Sequence, residues 1–585
     1  MTVTVITTNT TVGISMPANG DSLIVSPTGS IIAPAQAING PNAVNQHLSS
    51  AGFLDVQFIW LGGGDILNFA ASSVFNGHST TCIFVGANFA QTTFTGRSTL
   101  TNHGSISADN NAIELIGGNN SLTNTGSISA VRAGITVGEH GGSNQITNSG
   151  SIASSAGIGV EILGTNDNLI NIGAVSSGFV GIDVSSVAVG VNLFNSGFIT
   201  GQDIALRISG GSCRLVNDGT IQSTGADAIV LNGNGCKIDN GGRIESTSTA
   251  IVFNTAGSGT VENHGVIVSA IGTGVDFGAS AALANNFINS GTVEGLGLSF
   301  QGSGGQDFVT NSGTMVGSVD LGAGNDIFDG RGGTVTGSVT GGAGADTYTV
   351  DDATIQLQEL ATVGEIDSVF AAVSFRLAAN IENLTLLEAG DINGTGNGSA
   401  NFMTGNSGEN RLLGLDGNDT ITGDVGNDKV WGCNGDDAVN GGAGDDTVLG
   451  NSGNDVVQGG DGDDLLIGGL GRDTIIGGNG ADVFLFTSLA QSGATPALAD
   501  AITDFTNGED IIDLSKIDAK SNNAVANDAF IFIGSAAFSN VAGQMHAIQI
   551  AGNTFIEMDV NGDSVADCVI QLNGLLTMNA GDFVL

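Results

Sequence analysis

The chain has 585 residues, of which 95 are glycine, 57 are acidic and only 13 are basic. The net charge of −44 excludes a nucleic-acid-binding protein, because phosphate contacts need clustered Lys and Arg side chains. The 41% of hydrophobic residues excludes intrinsic disorder, and five prolines without a three-residue period exclude collagen. The first element in chain order, residues 1–95, is rich in β-forming residues, and we expect it to form an N-terminal β-rich cap.

A first repeat, with a period near 23 residues, occupies residues 96–317. Its marker is Asn-x-Gly, which begins at Asn102, Asn124, Asn148, Asn171, Asn195, Asn217, Asn240, Asn263, Asn289 and Asn311. An apolar residue follows four positions later, at Ile106, Ile128, Ile152, Val175, Ile199, Ile221, Ile244, Ile267, Val293 and Met315. Apolar residues at one phase stack inwards when each repeat forms one solenoid coil, with coils about 4.8 Å apart. Asn and Gly tolerate the left-handed backbone conformation, which we expect at the coil corners.

The repeat therefore predicts an all-β chain that begins with a right-handed parallel β-helix over residues 96–317. This pattern is similar to the passenger regions of bacterial autotransporters and other surface adhesins, and the resemblance implies a structural or adhesive role. An active site on the β-helix is the alternative, and Glu161 and Asp183 on neighbouring coils are the acid pair that a hydrolase would need. We expect His103 and His264 to face solvent at corners. Cys213 and Cys236 share one phase, and we expect free thiols there rather than a disulfide.

A second repeat, with a period of nine, begins at Gly414: GLDGNDTIT, GDVGNDKVW, GCNGDDAVN, GGAGDDTVL, GNSGNDVVQ, GGDGDDLLI, GGLGRDTII and GGNGADVFL. The fourth residue of each nonapeptide is glycine, the sixth is aspartate and the eighth is apolar. This is the G-G-x-G-x-D-x-U-x pattern of the RTX proteins, and the resemblance implies a calcium-binding parallel β-roll over residues 405–485.

Ca²⁺ prefers six to eight oxygen ligands, which carboxylates and the carbonyls of glycine-rich turns supply. The predicted carboxylate ligands are Asp419, Asp428, Asp437, Asp446, Asp455, Asp464, Asp473 and Asp482. The predicted turn glycines are Gly417, Gly426, Gly435, Gly444, Gly453 and Gly462. Without metal, stacked carboxylates repel one another, so we expect folding of the roll to require calcium.

Two degenerate copies of the nonapeptide lie upstream, in residues 318–350, and we predict Asp326 and Asp346 as further calcium ligands. A β-rich spacer, residues 351–404, separates them from the main array. In GNSGENRLL, Asn410 replaces the aspartate, and that turn is expected to bind weakly or to cap the array.

The last segment, residues 486–585, contains ITDFTNGEDIIDLS and ends in Asp582-Phe583-Val584-Leu585. It resembles the C-terminal domain of the serralysin metalloproteases. The resemblance implies a β-sandwich-like domain with an uncleaved type I secretion signal and export by an ABC transporter. It does not extend to proteolysis, because no H-E-x-x-H motif occurs in the chain. DVNGDSVAD, from Asp559 to Asp567, is either a calcium loop or a surface turn.

The chain begins without the basic and apolar regions of a signal peptide, and no apolar run is long enough to span a membrane. The sequence thus predicts a secreted calcium-binding protein with a structural or adhesive role at the cell surface, of the surface-layer, biofilm or adhesin type. Its expected partners are the type I transporter and either cell-surface polysaccharide or further copies of itself. The alternative is a secreted polysaccharide lyase, hydrolase or epimerase.

Overall fold

The computed structural model describes short segments between residues 3 and 85, and then residues 97–138, 141–254, 258–278, 283–361, 364–520 and 528–585. The chain forms two compact units, the first made of residues 1–328 and 332–342 and the second of residues 329–331 and 343–585. Strands dominate both units, and two short 3₁₀ helices, Leu489–Gln491 and Ala580–Asp582, occur in the second. The predicted all-β architecture with a parallel solenoid is confirmed.

The first unit is a parallel β-helix in which each complete coil contributes three short strands. Alternating apolar and polar residues form these strands, because each strand has one face towards the core and one towards solvent. The first strands of the coils pair in parallel: Val3–Ile6, Ser22–Val25, His47–Ser50, Ile66–Phe69, Thr99–Asn102, Ser121–Asn124, Gln145–Asn148, Asn168–Asn171, Asn192–Asn195, Arg214–Asn217, Cys236–Asn240, Gly259–Asn263, Asn285–Asn289 and Asp307–Asn311. The strands described within residues 1–95, the predicted cap, lie on the same ladders as the later coils.

The second and third strands of each coil form the remaining ladders of this unit. The second strands are Asn9–Thr10, Ser30–Ala33, Phe53–Val56, Val74–Gly77, Ser105–Ala108, Ser127–Ala130, Ser151–Ser154, Ala174–Ser177, Phe198–Gly201, Thr220–Ser223, Arg243–Ser246 and Val266–Ser269. The third strands are Ile14–Ser15, Ile38–Gly40, Ile59–Leu61, Thr81–Val85, Asn111–Leu115, Ala133–Val137, Ile158–Ile162, Val180–Val184, Ile204–Ile208, Ile229–Leu231, Ile251–Phe253 and Val275–Asp276. Two ten-residue strands, Thr292–Gln301 and Thr314–Ala323, replace the second and third strands of the last coils, and Thr334–Val335 follows them.

The core of the β-helix is a set of stacked aliphatic side chains. All ten residues four positions after the Asn of Asn-x-Gly are at most 1% exposed, as the repeat predicted. Ile106 and Ile128 illustrate the stacking, because they are cross-strand partners on consecutive coils. Phe253, Phe277, Phe287 and Phe300 fill the last coils with contacting rings.

The Asn-x-Gly corners form as predicted from the repeat, but hydrogen bonds and close packing, not a left-handed backbone, explain the choice of Asn and Gly. None of the ten Asn and ten Gly residues of this motif has a left-handed φ, so that part of the prediction is wrong. Instead, each buried Asn donates through Nδ2 to the Oδ1 of the next Asn at 2.7–2.8 Å, from Asn102 to Asn311. Glycine is required because coils approach closely; a Cβ on Gly126 would lie 2.0 Å from the Gly104 carbonyl oxygen.

The second unit contains the nonapeptide array, in which two nonapeptides make one coil of 18 residues. One face consists of Phe402–Thr404, Thr420–Val425, Ala438–Ala443, Val456–Asp461, Thr474–Asn479 and Asp500–Ile502. The opposite face consists of Phe375–Arg376, Gly394–Thr395, Arg411–Asp416, Lys429–Asn434, Thr447–Ser452, Leu465–Leu470, Val483–Leu485, Ile511–Asp513 and Phe583–Val584. The apolar eighth residues, such as Val448 and Val457, fill the narrow interior between the faces.

Upstream of the array, the strands Thr347–Val350, Ser368–Ala371 and Asn383–Leu386 pair in parallel, and Gln356–Gln358 lies between the first two in sequence. Ile327–Asp329 and Ser338–Ala343 fall at the sequence boundary of the two units. After the array, Ile531–Phe532, Gln544–Ile550, Asn553–Asp559 and Cys568–Leu572 form a sheet that is antiparallel over its last three strands. Cys568–Leu572 also pairs with Asp500–Ile502, which fixes this sheet on the end of the array.

Candidate metal centre

The glycine-rich turn of each nonapeptide brings successive coils into close contact. The fourth residue is glycine with a φ between 123° for Gly417 and 145° for Gly453, a region that other residues rarely adopt. A Cβ on Gly435 would lie 1.8 Å from the Gly417 carbonyl oxygen of the preceding coil. Both the backbone conformation and the packing therefore require glycine, and the six predicted turn glycines all have this conformation. Metal binding by their carbonyl oxygens stays a prediction.

The second residue of each nonapeptide also has a left-handed φ, which the repeat pattern did not predict. Glycine occupies this position in four nonapeptides, but Leu415, Asp424, Cys433 and Asn451 occupy it in the others, with φ between 77° and 87°. The left-handed conformation costs roughly 1–2 kcal/mol for a residue with a Cβ. The frequent second glycine thus has a conformational reason that is separate from metal binding.

The eight predicted aspartates form what we call the carboxylate ladder: Asp419, Asp428, Asp437, Asp446, Asp455, Asp464, Asp473 and Asp482. Each is only 1–2% exposed. The backbone N–H of each of the first six donates to Oδ1 of the aspartate 18 residues later, at 2.7–3.1 Å. The ladder therefore has two rows, one on each side of the array, and each carboxylate is held between consecutive coils.

The other carboxylate oxygen, Oδ2, has no hydrogen-bond partner in any of these eight residues, although it is buried. It lies against the first glycine of its own nonapeptide. The position that a Cβ on Gly459 would take is 2.2 Å from Asp464 Oδ2 and 2.5 Å from the Gly477 carbonyl oxygen. The same pairing of an unpaired carboxylate oxygen with a backbone carbonyl oxygen occurs at the first glycine of four nonapeptides, Gly414, Gly423, Gly450 and Gly459.

Burial raises the pKa of Asp446, Asp455 and Asp464 to about 7, with a smaller contribution from neighbouring carboxylates. It also raises the pKa of Asp419, Asp473 and Asp482 to about 6. An ionised carboxylate is therefore unfavourable in this setting unless a cation compensates its charge. A calcium site has oxygen atoms as its only ligands, and several of them carry negative charge. The regular rows of buried carboxylates have these properties, so the residues present fit Ca²⁺.

The two degenerate nonapeptides have equivalent buried aspartates. Asp326 accepts the backbone N–H of Asp307 through Oδ1 at 2.7 Å. Asp346 donates its N–H to Asp367 Oδ1 at 2.7 Å, and one carboxylate oxygen each from Asp346, Glu359 and Asp367 lies within 4.8 Å of the others. Glu359 and Asp367 were not predicted from the sequence, because they lie outside any nonapeptide.

Asn410, which replaces the aspartate of the ladder, is satisfied by the protein alone. Its Oδ1 accepts the backbone N–H of Asn406 at 2.8 Å, and its Nδ2 donates to the Ile392 carbonyl oxygen at 2.7 Å. Because the amide brings its own donor, Asn410 offers no unpaired charged oxygen to a cation, and its weak binding or capping role stays a prediction.

Two further aspartates continue the ladder beyond the last nonapeptide. Asp473 donates its N–H to Asp500 Oδ1 at 2.9 Å, and Asp482 donates to Asp510 Oδ1 at 3.1 Å. Asp500 is fully buried, its Oδ2 has no hydrogen-bond partner, and burial raises its pKa to about 8. Neither residue was predicted from the sequence, because they follow their partners after 27 and 28 residues instead of 18. The signal available was an aspartate followed directly by two apolar residues, Asp500-Ala501-Ile502 and Asp510-Ile511-Ile512.

The candidate acid pair on the β-helix is partly neutralised. Glu161 and Asp183 are cross-strand partners, but Arg207 on the next coil binds Asp183 with Nε 2.9 Å from Oδ1. Burial raises the pKa of Glu161. A different group of titratable side chains lies on the same unit: Asp239, Glu262 and His264 each place one atom within 4.8 Å of the others, and Lys237 Nζ lies 2.6 Å from Glu262 Oε1.

The remaining predicted residues have ordinary structural positions. His103 and His264 are exposed at their corners, as expected. Cys213 and Cys236 are buried, stacked on consecutive coils and free, as expected. In DVNGDSVAD, Asp559 accepts the N–H groups of Gly562 and Ser564, and the segment is the turn between two antiparallel strands.

The peptidase M10 serralysin C-terminal family matches residues 405–585. A similar solved structure is the solution structure of the AlgE6R3 subunit from the Azotobacter vinelandii mannuronan C5-epimerase, which is 27% identical. That likeness covers 27% of this chain and 80% of the other, with a TM-score of 0.19. No curated protein matches the chain.

The match of residues 405–585 to the serralysin C-terminal family, an RTX-type domain, indicates a secreted, calcium-binding protein. Among the helices that the structure describes, none has the length and hydrophobicity needed to cross a membrane.

Proposed function

We propose that this protein is a secreted structural or adhesive protein of the cell surface, of the surface-layer, biofilm or adhesin type. It leaves the cell through a type I ABC transporter and folds when it binds extracellular calcium. The observation that carries the proposal is the carboxylate ladder, eight buried aspartates whose Oδ2 atoms have no partner within the protein. Calcium outside the cell, at about 10⁻⁴–10⁻³ M, matches the affinity of extracellular calcium modules.

The adhesive part of the proposal rests on the surface of the β-helix. Outward-facing Thr and Ser side chains repeat along its ladders, as in the row Ser105, Ser127 and Ser151. On later coils Ile172 and Phe198 are 55% and 60% exposed. Such a repetitive face suits contacts with polysaccharide or with further copies of the chain.

The test is a calcium titration of the full chain after chelation, followed by far-ultraviolet circular dichroism. We expect β-structure of the array to be lost in chelator and to return cooperatively with calcium. A double variant, Asp446→Ala with Asp455→Ala, should need several-fold more calcium at the midpoint. Asp445→Ala is the matched control, because Asp445 is adjacent and exposed. An unchanged spectrum in chelator contradicts the proposal.

A secreted polysaccharide-modifying enzyme is the second candidate, and Asp239, Glu262 and Lys237 favour it. Asp239 and Glu262 are cross-strand partners on the outer face of the first ladder. A groove of about 620 Å³ lies beside them, and its lining includes Lys237, Asn286 and Phe308. Paired carboxylates next to a groove are the arrangement that glycoside hydrolysis needs.

This candidate is tested with acidic and neutral polysaccharides in the presence of calcium. Turnover that Glu262→Gln and Asp239→Asn abolish, and that Glu161→Gln leaves intact, would favour an enzyme. Absence of turnover, together with calcium-induced assembly or cell-surface binding, would favour the structural role.

A further inference from the structure

A single row of polar residues precedes the first strands of the early β-helix coils. The backbone N–H of Ser98 donates to Asn120 Oδ1 at 3.1 Å, that of Asn120 to Asn144 Oδ1 at 2.9 Å, and that of Asn144 to Asp167 Oδ1 at 2.8 Å. The carboxylate ladder has the same hydrogen-bond pattern, in which a backbone N–H of one coil donates to the Oδ1 of a side chain on the next coil. The β-helix and the array thus share a corner geometry despite their different periods.

Asp167 is the member of this row that the protein does not satisfy. It is fully buried. Its Oδ1 accepts two hydrogen bonds from Asn144, through N at 2.8 Å and Nδ2 at 3.0 Å, whereas Oδ2 has no hydrogen-bond partner. An unpartnered buried carboxylate oxygen carries a large desolvation cost, which a bound cation removes.

The surroundings of Asp167 Oδ2 are those of the array. The position that a Cβ on Gly164 would take is 2.4 Å from Asp167 Oδ2 and 2.4 Å from the Gly141 carbonyl oxygen. At Gly459 in the array, the two corresponding distances are 2.2 Å and 2.5 Å. The two oxygens in the β-helix are therefore at most 4.8 Å apart, a separation that one calcium ion bridges with bonds of about 2.4 Å.

The neighbouring amides show why a carboxylate at this corner needs a cation. Asn120 Nδ2 donates to the carbonyl oxygens of Ile116 and Gly117, four and three residues earlier, at 3.2 Å each. The corresponding carbonyls before Asp167 belong to Leu163 and Gly164. The ionised carboxylate of Asp167 has no hydrogen to donate to these carbonyls. Where the Asn120 coil has N–H groups bound to carbonyl oxygens, the Asp167 coil therefore has carboxylate and carbonyl oxygens without a donor.

A later acid in the same row, Asp307, has no unpartnered carboxylate oxygen. Asp307 is 1% exposed, yet its Oδ2 accepts the backbone N–H of Ser303 at 2.6 Å and its Oδ1 accepts Asn285 Nδ2 at 2.8 Å. Burial of a corner carboxylate therefore does not by itself create a cation site. Asp307 is the matched control for Asp167.

We propose that Asp167 and the carbonyl oxygens around it, that of Gly141 first, form a calcium site inside the β-helix, outside the nonapeptide array. The proposal assigns to the β-helix a metal ion of its own, and a hard divalent cation is the class of ligand that these oxygens take. The site needs no residue of the array, so it can be tested independently of calcium binding by the array.

The test counts calcium ions by native mass spectrometry of the full chain at saturating calcium. We expect Asp167→Asn to bind one ion fewer than the wild type and Asp307→Asn to bind the same number. Asn120 and Asn144 show that an amide is accommodated at this corner, so the variant is expected to fold. An unchanged count in Asp167→Asn overturns the proposal, while a wild type that binds no calcium contradicts the proposed function as well.

Hydrogen exchange of the segment 141–171 is the second measurement. In the wild type, calcium should slow amide exchange in this segment, and Asp167→Asn should abolish the difference while the array keeps its own calcium-dependent protection. Equal exchange of 141–171 in wild type and Asp167→Asn at every calcium concentration also overturns the proposal.

Discussion

Single residues determine which oxygen atoms the array offers to a metal ion and how much conformational strain it stores. The sixth residue of each nonapeptide is an acid because only a carboxylate leaves an unpaired, charged oxygen after Oδ1 has bound the adjacent coil. Asn410 shows the contrast, since its amide satisfies itself. The second residue is under a separate constraint, a left-handed φ that four nonapeptides meet without glycine.

Leu415→Gly should stabilise the calcium-bound array. Leu415 has a φ of 87°, and relief of that strain is worth about 1 kcal/mol, somewhat reduced by the greater freedom of glycine in the unfolded chain. The measurement is the urea midpoint at saturating calcium. Leu413→Gly is the control, because Leu413 lies in the same strand without a left-handed φ and should lose stability. A lower midpoint for Leu415→Gly would show that the position is not strained.

At the scale of an element, the asparagine ladder links the coils of the β-helix through one continuous row of side-chain hydrogen bonds. Asn195 accepts from Asn171 at 2.8 Å and donates to Asn217 at 2.7 Å, and all three are buried. Removal of one amide leaves a buried donor on one side and a buried acceptor on the other.

Asn195→Ala should therefore destabilise the β-helix by about 2–4 kcal/mol, since each unsatisfied buried group costs about 1–3 kcal/mol. Asn192→Ala is the matched control three residues away: Asn192 is only partly buried and bonds to Asn168 on the outer face, so its loss should cost less than about 1 kcal/mol. Thermal unfolding of both variants in calcium measures the difference. Equal losses would mean that the ladder adds no stability of its own.

The carboxylate ladder predicts a pH dependence in the absence of calcium. Burial raises the pKa of Asp446, Asp455 and Asp464 from the usual 3.8 to about 7. Between these values the folded array binds more protons than the unfolded chain, so the free energy of unfolding falls as pH rises from about 4 to about 7. In chelator, the β-signal of the array should thus be stronger at pH 5 than at pH 8.

Saturating calcium should invert this dependence, because protons then compete with the ion for the same oxygens. Circular dichroism at both pH values, with free calcium fixed, measures the effect. A β-signal in chelator that grows with pH would be incompatible with buried, uncompensated carboxylates.

At the scale of the whole molecule, the C-terminal segment is predicted to act in export. Deletion of residues 486–585 should leave the protein inside the cell, because the type I signal is expected at the end of this segment. Immunoblots of culture medium and cells measure the distribution. A deletion of similar length in the β-helix, residues 99–195, is the control and should still be exported. Normal export without residues 486–585 would refute the secretion proposal.

The sequence by itself determined the two periods, and with them the parallel coils, the inward aliphatic residues and the eight ladder aspartates. These follow from local repetition, since a residue at a fixed phase meets its own counterpart on the next coil. Tertiary structure alone decided which buried polar groups have hydrogen-bond partners. It showed the Asn–Asn hydrogen bonds in place of left-handed corners, and it brought Asp500, Asp367 and Glu262 next to their partners.

The reason is physical: hydrogen-bond satisfaction depends on atoms from adjacent coils, and insertions change the sequence distance between those atoms without changing their separation in space. Asp482 and Asp510 are 28 residues apart yet hydrogen-bonded as closely as Asp464 and Asp482, which are 18 apart. Nothing in the sequence distinguishes Asp167 from Asp307. Only the structure shows that Asp307 Oδ2 accepts a hydrogen bond, whereas Asp167 Oδ2 has no partner and is therefore the candidate calcium ligand.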